Sequence, residues 1–211
     1  MDEFYLETDN ERDNRAGVWK IPKKILGVQA SSRGKRGVTE MVYSALKSGM
    51  QKRGVSVKTL RLAEKDFEPC SGCFKCWTKA MGKCPLEDDL TGVIEQVPSY
   101  DLLILATPLY IDGMSGLLKN FVDRLMLLNH PAIYMHRGRC LHPCRFRRMP
   151  NLVLLGVCGL YEKSHFYPLV NHAEAIAVNM HMPLTATLLR PETLSLMDRE
   201  AKQRFEDVRV A

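Results

Sequence analysis

The feature that most constrains the fold is a regular alternation between short apolar segments and longer segments with helical spacing. The apolar, strand-like segments cover residues 24–30, 55–62, 101–106, 151–158 and 184–189. Segments with helical spacing cover residues 38–53, 88–97, 116–128 and 166–180. Strands that alternate with helices in this way predict an α/β fold, in which helices cover both faces of a parallel sheet.

The number of predicted strands narrows the choice of α/β fold. Five strands fit the flavodoxin-like order 2-1-3-4-5 better than the six-stranded dinucleotide-binding fold, so we expect a three-layer sandwich. The 211 residues suffice for one domain. We predict that residues 1–20, which are acidic and lack apolar periodicity, form an N-terminal arm and that residues 21–211 form the domain. Pro108 should end the third strand, and residues 195–208 should be helical.

Composition excludes several classes of protein. Hydrophobic residues make up 45% and charged residues 26% of the chain, which is typical of a folded domain. The longest apolar run, Leu152 to Leu160, falls short of the roughly 20 residues that a membrane helix needs. The chain opens with Asp2 and Glu3 and not with basic residues ahead of an apolar stretch. We therefore expect a cytoplasmic protein without a membrane partner.

The loop after the first strand, residues 30–39, has the character of an anion site. Its two serines, three basic residues and two glycines lead directly into a predicted helix. Free backbone N–H groups and the dipole at a helix N-terminus favour a phosphate there. The loop matches neither the triphosphatase motif nor G-x-G-x-x-G. A solvated turn with a capping serine is the alternative.

The loop after the third strand, residues 107–115, is unusually apolar for a connection. It carries Leu109, Tyr110, Ile111 and Met114 within six residues. Such side chains suit one face of a flat aromatic ring such as an isoalloxazine. The alternative is that Tyr110 and Met114 close the edge of the sheet.

Together these loops resemble the NADPH-dependent FMN reductase family, and especially its iron-sulfur flavoprotein branch. The matching motifs are Ser31-Ser-Arg33, Thr39, Thr107-Pro-Leu-Tyr110, Met114-Ser115, Leu118-Lys119 and Asp123-Arg124. The resemblance covers residues 24–190, nearly the whole domain, and implies non-covalent FMN at a dimer interface. It implies that Ser31, Arg33, Val38 and Thr39 hold the phosphate, that Pro108, Leu109, Tyr110, Ile111, Met114 and Ser115 line the ring, and that Cys158, Gly159 and Tyr161 approach it from the fourth strand. Val38 stands where family members commonly have asparagine, so one side-chain contact is absent.

Four of the seven cysteines form a compact array. Cys70, Cys73, Cys76 and Cys84 have the spacing C-x2-C-x2-C-x7-C, and Pro85 follows. This pattern is typical of [4Fe–4S] ligation, and the resemblance implies the same ligand set. Unligated thiols are one alternative. Zinc is another, although structural zinc sites more often pair two C-x2-C motifs across a dozen or more residues.

Residues 131–150, the basic segment, contain five arginines and two histidines but no acidic residue. The simplest interpretation is a loop that faces solvent or another subunit. A landing site for the phosphates of NADPH is a sharper alternative. Few aromatic residues and no helical spacing argue against nucleic-acid binding.

These observations predict an FMN-dependent oxidoreductase. NAD(P)H would be the electron donor, and a quinone, free flavin or another small-molecule or protein acceptor would receive the electrons. No catalytic side chain is expected, because the flavin carries the redox chemistry. A [4Fe–4S] cluster would make the protein an electron carrier. We expect a homodimer or homotetramer, since a ring on an apolar loop otherwise stays half exposed. The alternative function is a non-enzymatic zinc- or nucleic-acid-binding interaction protein on the same scaffold.

Overall fold

A parallel sheet lies at the centre of the computed structural model, which describes residues 22–196. The strands are β1 (Lys24–Gln29), β2 (Ser56–Arg61), β3 (Leu102–Tyr110), β4 (Gly113–Met114), β5 (Tyr134–His136), β6 (Arg139–Leu141), β7 (Asn151–Val157) and β8 (Leu184–Arg190). The parallel strands have the order β2-β1-β3-β7-β8, which confirms the predicted order 2-1-3-4-5. The predicted arm over residues 1–20 and nearly all of the predicted helix over 195–208 lie outside the described residues.

The helices lie on both faces of the sheet. They are α1 (Val38–Gln51), α2 (Lys75–Thr78), α3 (Gly116–Arg124) and α4 (Tyr167–Asn179). Alternate residues of β3 point into different cores: Ile104 packs in the cluster that contains Tyr43 of α1, and Leu105 packs with Phe121 of α3. Close approach of α1 depends on Gly27, because a Cβ there would lie 2.0 Å from the Tyr43 hydroxyl. None of the helices in the described part of the chain is long and apolar enough to cross a membrane.

The predicted helix over residues 88–97 is wrong. Successive turns run from Asp89 to Gln96, and a short 3-10 turn follows at Val97–Ser99. Gly92 has φ +75°, in the left-handed region, and this breaks the helical path that the apolar spacing suggests.

The predicted end of the third strand at Pro108 is also wrong, because β3 continues to Tyr110. Pairing of β3 with β1 stops at Ala106, whereas pairing with β7 continues to Pro108. A proline N–H is therefore not needed for pairing with β1 at this position.

The basic segment is less irregular than its sequence suggests. It contains an antiparallel hairpin of β5 and β6, whose turn residues Arg137 and Gly138 have φ +49° and +76°. Two positive φ values are typical of the tight turn that joins two twisted strands. The His130 N–H donates to the Pro143 carbonyl at 2.7 Å and closes the segment at its base.

Candidate functional site

One residue joins the first loop to the third loop at the carboxyl edge of the sheet. The buried Ser115 hydroxyl donates to the Ala30 carbonyl at 2.7 Å, and the Ser115 N–H donates to the Thr107 hydroxyl at 3.0 Å. The Ser115 hydroxyl also accepts a hydrogen bond from the Leu118 N–H at 3.3 Å and so caps α3. The two loops predicted to hold phosphate and ring are therefore in direct contact.

The first loop forms a tight cradle ahead of α1. The Ser31 hydroxyl accepts from the Arg33 N–H at 3.3 Å, and the Ser31 carbonyl accepts from the Gly34 N–H at 2.9 Å. A Cβ on Gly37 would lie 2.4 Å from the Ser31 hydroxyl, so only glycine fits. The N-cap residue of α1, Gly37, has no side chain, so that residue does not compete with an anion for the dipole at this helix end.

The predicted phosphate residues divide by burial. Ser31 and Thr39 are buried and Val38 is half-buried at the start of α1, whereas Arg33 is exposed. Beneath them lies Gln29, which sequence reasoning missed although it is a polar residue at the end of an apolar strand. Its amide donates to the Gly34 carbonyl at 3.4 Å, while its buried Oε1 has no hydrogen-bond partner among residues 22–196.

The third loop is a strained hairpin. Its turn residues Ile111 and Asp112 have φ +48° and +57°, and a β-branched residue in that region costs about 1–3 kcal/mol. The side chain of Ile111 is fully exposed and that of Tyr110 is half exposed. Pro108 and Ser115 are buried, and Leu109 and Met114 are half-buried. The predicted ring-lining residues, 108–111, 114 and 115, thus form an apolar ridge whose outermost side chains, Tyr110 and Ile111, face solvent.

The fourth loop, residues 158–166, lies beside that ridge. Cys158 is buried and its Sγ accepts from the Leu160 N–H at 3.3 Å, Gly159 is half-buried, and Tyr161 is half exposed. His165 Nδ1 lies 3.2 Å from Asp112 Oδ1 in the third loop.

His165 therefore links the third and fourth loops, a role that the sequence does not indicate. Its Nε2 lies 3.7 Å from Glu162 Oε2, so the imidazole sits between two carboxylates. A single histidine ahead of a helix carries no spacing signal, and its partner Asp112 is 53 residues away.

The four cysteines of the array, residues 70–84, lie in one loop between β2 and β3. Cys76 is buried, Cys70 and Cys84 are partly exposed, and Cys73 is exposed. Burial raises the pKa of the Cys76 thiol, and the charges of the Cys84, Cys70 and Cys73 thiols raise it further.

Backbone conformation directs these thiols to different environments. Gly72 and Phe74 have φ +64° and +53° and turn the chain between successive cysteines. Hydrogen bonds from the Lys75 N–H and the Ser71 side chain lower the pKa of Cys73. Across residues 22–196, no group of three or more His, Cys, Asp or Glu side chains is arranged to hold a single metal ion.

The connection between β2 and β3, which carries these cysteines, is attached to the end of α3 and to the turn that follows it. The Trp77 indole N–H donates to the Met126 carbonyl at 3.1 Å. The buried Arg124 forms an ion pair with Asp88 and donates to the Glu68 carbonyl at 3.3 Å. Partial burial alone would raise the pKa of Asp88, but hydrogen bonds from Arg124 and from backbone N–H groups lower it below its ordinary value.

Comparison with known proteins identifies the family that the sequence motifs resemble. The family model for NADPH-dependent FMN reductase matches residues 23–141. An iron-sulfur flavoprotein of Methanocaldococcus jannaschii is 35% identical over 101 residues, which are 48% of this chain and 51% of that protein. An iron-sulfur flavoprotein of Archaeoglobus fulgidus is 30% identical over 107 residues, which are 51% of this chain and 47% of that protein. The chain thus spans about half the length of the curated relatives it matches.

Solved structures support the fold. An azoreductase from Bacillus anthracis superimposes with a TM-score of 0.60 at 16% identity and covers 86% of this chain and 92% of its own. An NAD(P)H:quinone oxidoreductase from Methanothermobacter marburgensis has a TM-score of 0.58 at 15% identity, with 89% and 92% coverage. At these identities the similarity establishes a shared flavodoxin-like architecture.

Proposed function

The chain belongs to the NADPH-dependent FMN reductase family, and from that membership we propose that it is an FMN-binding oxidoreductase with NAD(P)H as electron donor. The observation that carries the proposal is the Ser115–Ala30 hydrogen bond, which joins a phosphate cradle to an apolar ridge at one edge of the sheet. Open α/β sheets bind their ligands at this edge. Family membership favours this function over the non-enzymatic alternative.

The first loop suits the phosphate of FMN. Ser31 and Thr39 would offer hydroxyls at the open end of α1, and Val38 would offer only its backbone N–H. Arg33, exposed at the rim, would add a charge-assisted bond of about 1.5–3 kcal/mol. The hydrogen bonds that Ser31 accepts from the Arg33 and Gly34 N–H groups, and the close contact between Gly37 and Ser31, support a preformed turn at this helix end.

The third and fourth loops suit the ring. One face of the ring would lie along Pro108, Leu109, Met114 and Ser115. The rim of the site would be formed by Tyr110 and Ile111, and the far edge of the ring would be approached by Cys158, Gly159 and Tyr161. Bound FMN would supply hydride acceptance and one-electron transfer, which these side chains do not perform themselves.

We propose further that Cys70, Cys73, Cys76 and Cys84 bind a [4Fe–4S] cluster. The donor chemistry of the four cysteines and the iron-sulfur flavoproteins among the relatives support this. Anaerobic reconstitution should give about four iron and four sulfide per chain, with loss of the cluster in Cys73→Ser. Normal FMN binding without uptake of iron would leave a plain flavin reductase with four thiols.

The exposed ridge supports a homo-oligomer, either a dimer or a tetramer. The cytoplasm is the proposed compartment, as expected from the sequence. Ile111, Tyr110 and Tyr161 present apolar surface beside the ring site, and a second subunit would cover it. The acceptor would be a small molecule or a protein. The basic segment stays a candidate surface for NADPH phosphates.

Flavin titration tests the function directly. The fluorescence of FMN should be quenched on binding. FMN should bind more tightly than FAD, because the first loop offers a compact phosphate site. The FMN-loaded protein should then be reduced by NADH or NADPH under anaerobic conditions. Failure to bind any flavin would overturn the proposal, and flavin binding without reduction by either nucleotide would remove the NAD(P)H step alone.

A further inference from the structure

Glu40 lies in the first turn of α1, beside the residues proposed to hold the phosphate. It is the third residue of the helix, a position from which a glutamate commonly turns back to bond the N-cap N–H. A carboxylate placed there would occupy the end of the helix that favours an anion. Glu40 is thus a potential internal competitor for the FMN phosphate.

The structure holds the Glu40 carboxylate away from that position. Arg61, the last residue of β2, donates from Nη2 to Glu40 Oε1 at 2.6 Å and from Nε to Oε2 at 3.2 Å. The Ser44 hydroxyl donates to Oε1 at 2.9 Å. These bonds draw the side chain toward the second turn of α1 and the end of β2. Both partners are largely shielded, with side-chain exposures of 21% for Arg61 and 9% for Glu40.

We propose that Arg61 is a positioning residue for FMN, which keeps the N-terminus of α1 free for phosphate by holding and neutralising Glu40. The inference rests on the proposed function. Arg61 would act through Glu40, since the carboxylate accepts hydrogen bonds from its Nε and Nη2. Without Arg61, the freed Glu40 charge would repel the phosphate or replace it.

The test compares two ligands, FMN and riboflavin, which has the same ring but no phosphate. In Arg61→Met, Kd for FMN should rise about tenfold, as expected for a misplaced charge near a helix terminus, while Kd for riboflavin stays unchanged. The double variant Glu40→Gln/Arg61→Met should recover the FMN affinity. Lys47→Met is the matched control, since Lys47 also joins α1 to β2, through a hydrogen bond to the Thr59 hydroxyl at 3.0 Å, but lies further from the N-terminus of α1.

Loss of one partner from a shielded ion pair destabilises a fold, so Arg61→Met alone is not decisive if it fails to fold. Glu40→Gln then carries the test, and it should bind FMN at least as tightly as the wild type. Tenfold weaker FMN binding by Glu40→Gln, or equal losses for FMN and riboflavin in Arg61→Met, would overturn the inference. A wild-type protein that binds neither ligand would instead refute the proposed function.

Discussion

Replacement of Ser115 by alanine should both destabilise the fold and separate the two halves of the flavin site. The Ser115 hydroxyl caps α3 through the Leu118 N–H, and loss of an N-cap costs about 1 kcal/mol. It also donates to the buried Ala30 carbonyl, and loss of that bond costs about 1–2 kcal/mol. The expected decrease in the free energy of unfolding is therefore about 2–3 kcal/mol.

Urea denaturation of the apo-protein measures this decrease in the free energy of unfolding. FMN titration measures the separation of the two halves of the flavin site. Because the bond sets the first loop against the third loop, FMN affinity should fall in Ser115→Ala and should recover in Ser115→Thr, which keeps the hydroxyl. Ser99→Ala is the matched control: the Ser99 hydroxyl also donates to a backbone carbonyl, that of Gln96 at 2.7 Å, but it is exposed and remote from the site. A loss below 0.5 kcal/mol, or one equal to that of the control, would refute the reasoning.

Two further predictions concern Asp88, which pairs with Arg124 of α3, and His165, which links the third and fourth loops. Since the folded-state pKa of Asp88 is depressed, its contribution to stability is present above the unfolded pKa of about 3.9 and is lost as pH falls through the folded value. Urea midpoints between pH 7 and pH 3 should therefore depend less on pH in Asp88→Asn than in the wild type; equal slopes would contradict this. His165→Ala, which releases the third loop from the fourth, should weaken FMN and riboflavin alike by about two- to fivefold. His172→Ala on α4 is the control, and a loss confined to FMN would show that His165 acts on the phosphate instead.

The strand order was predictable because each central strand is a buried apolar run, the strongest local signal that a parallel sheet leaves in a sequence. The turns around Gly92 were not, because apolar spacing of the kind found over residues 88–97 is also satisfied by consecutive turns. The β5–β6 hairpin was missed because its strands have three residues each and its turn is Arg-Gly in place of the usual Asn-Gly or Asp-Gly.

That the first and third loops meet at one edge of the sheet was predictable from the strand order, but the bonds between them were not. The Ser115–Ala30 bond joins residues 85 positions apart, and the Arg61–Glu40 pair joins residues 21 positions apart. No local pattern encodes such partners, since they meet only when the strands that carry them are side by side. The sequence therefore indicates which loops are candidates for the site, but it does not indicate the contacts that hold those loops together.

At the amino edge of the sheet one carboxylate is fully engaged, whereas at the carboxyl edge two residues carry a cost in stability. At the amino edge, Asp101 accepts hydrogen bonds from the Lys23 and Lys24 N–H groups at 2.9 and 3.0 Å and from Arg148 at 3.3 Å. At the carboxyl edge, Ile111 is strained and fully exposed, and Gln29 Oε1 is buried without a partner among the described residues. Both features cost stability, and such features persist where function requires them. A bound ring would cover the Ile111 ridge and remove apolar surface from water, and a hydroxyl of the ligand would satisfy the Gln29 Oε1, which can only accept a hydrogen bond.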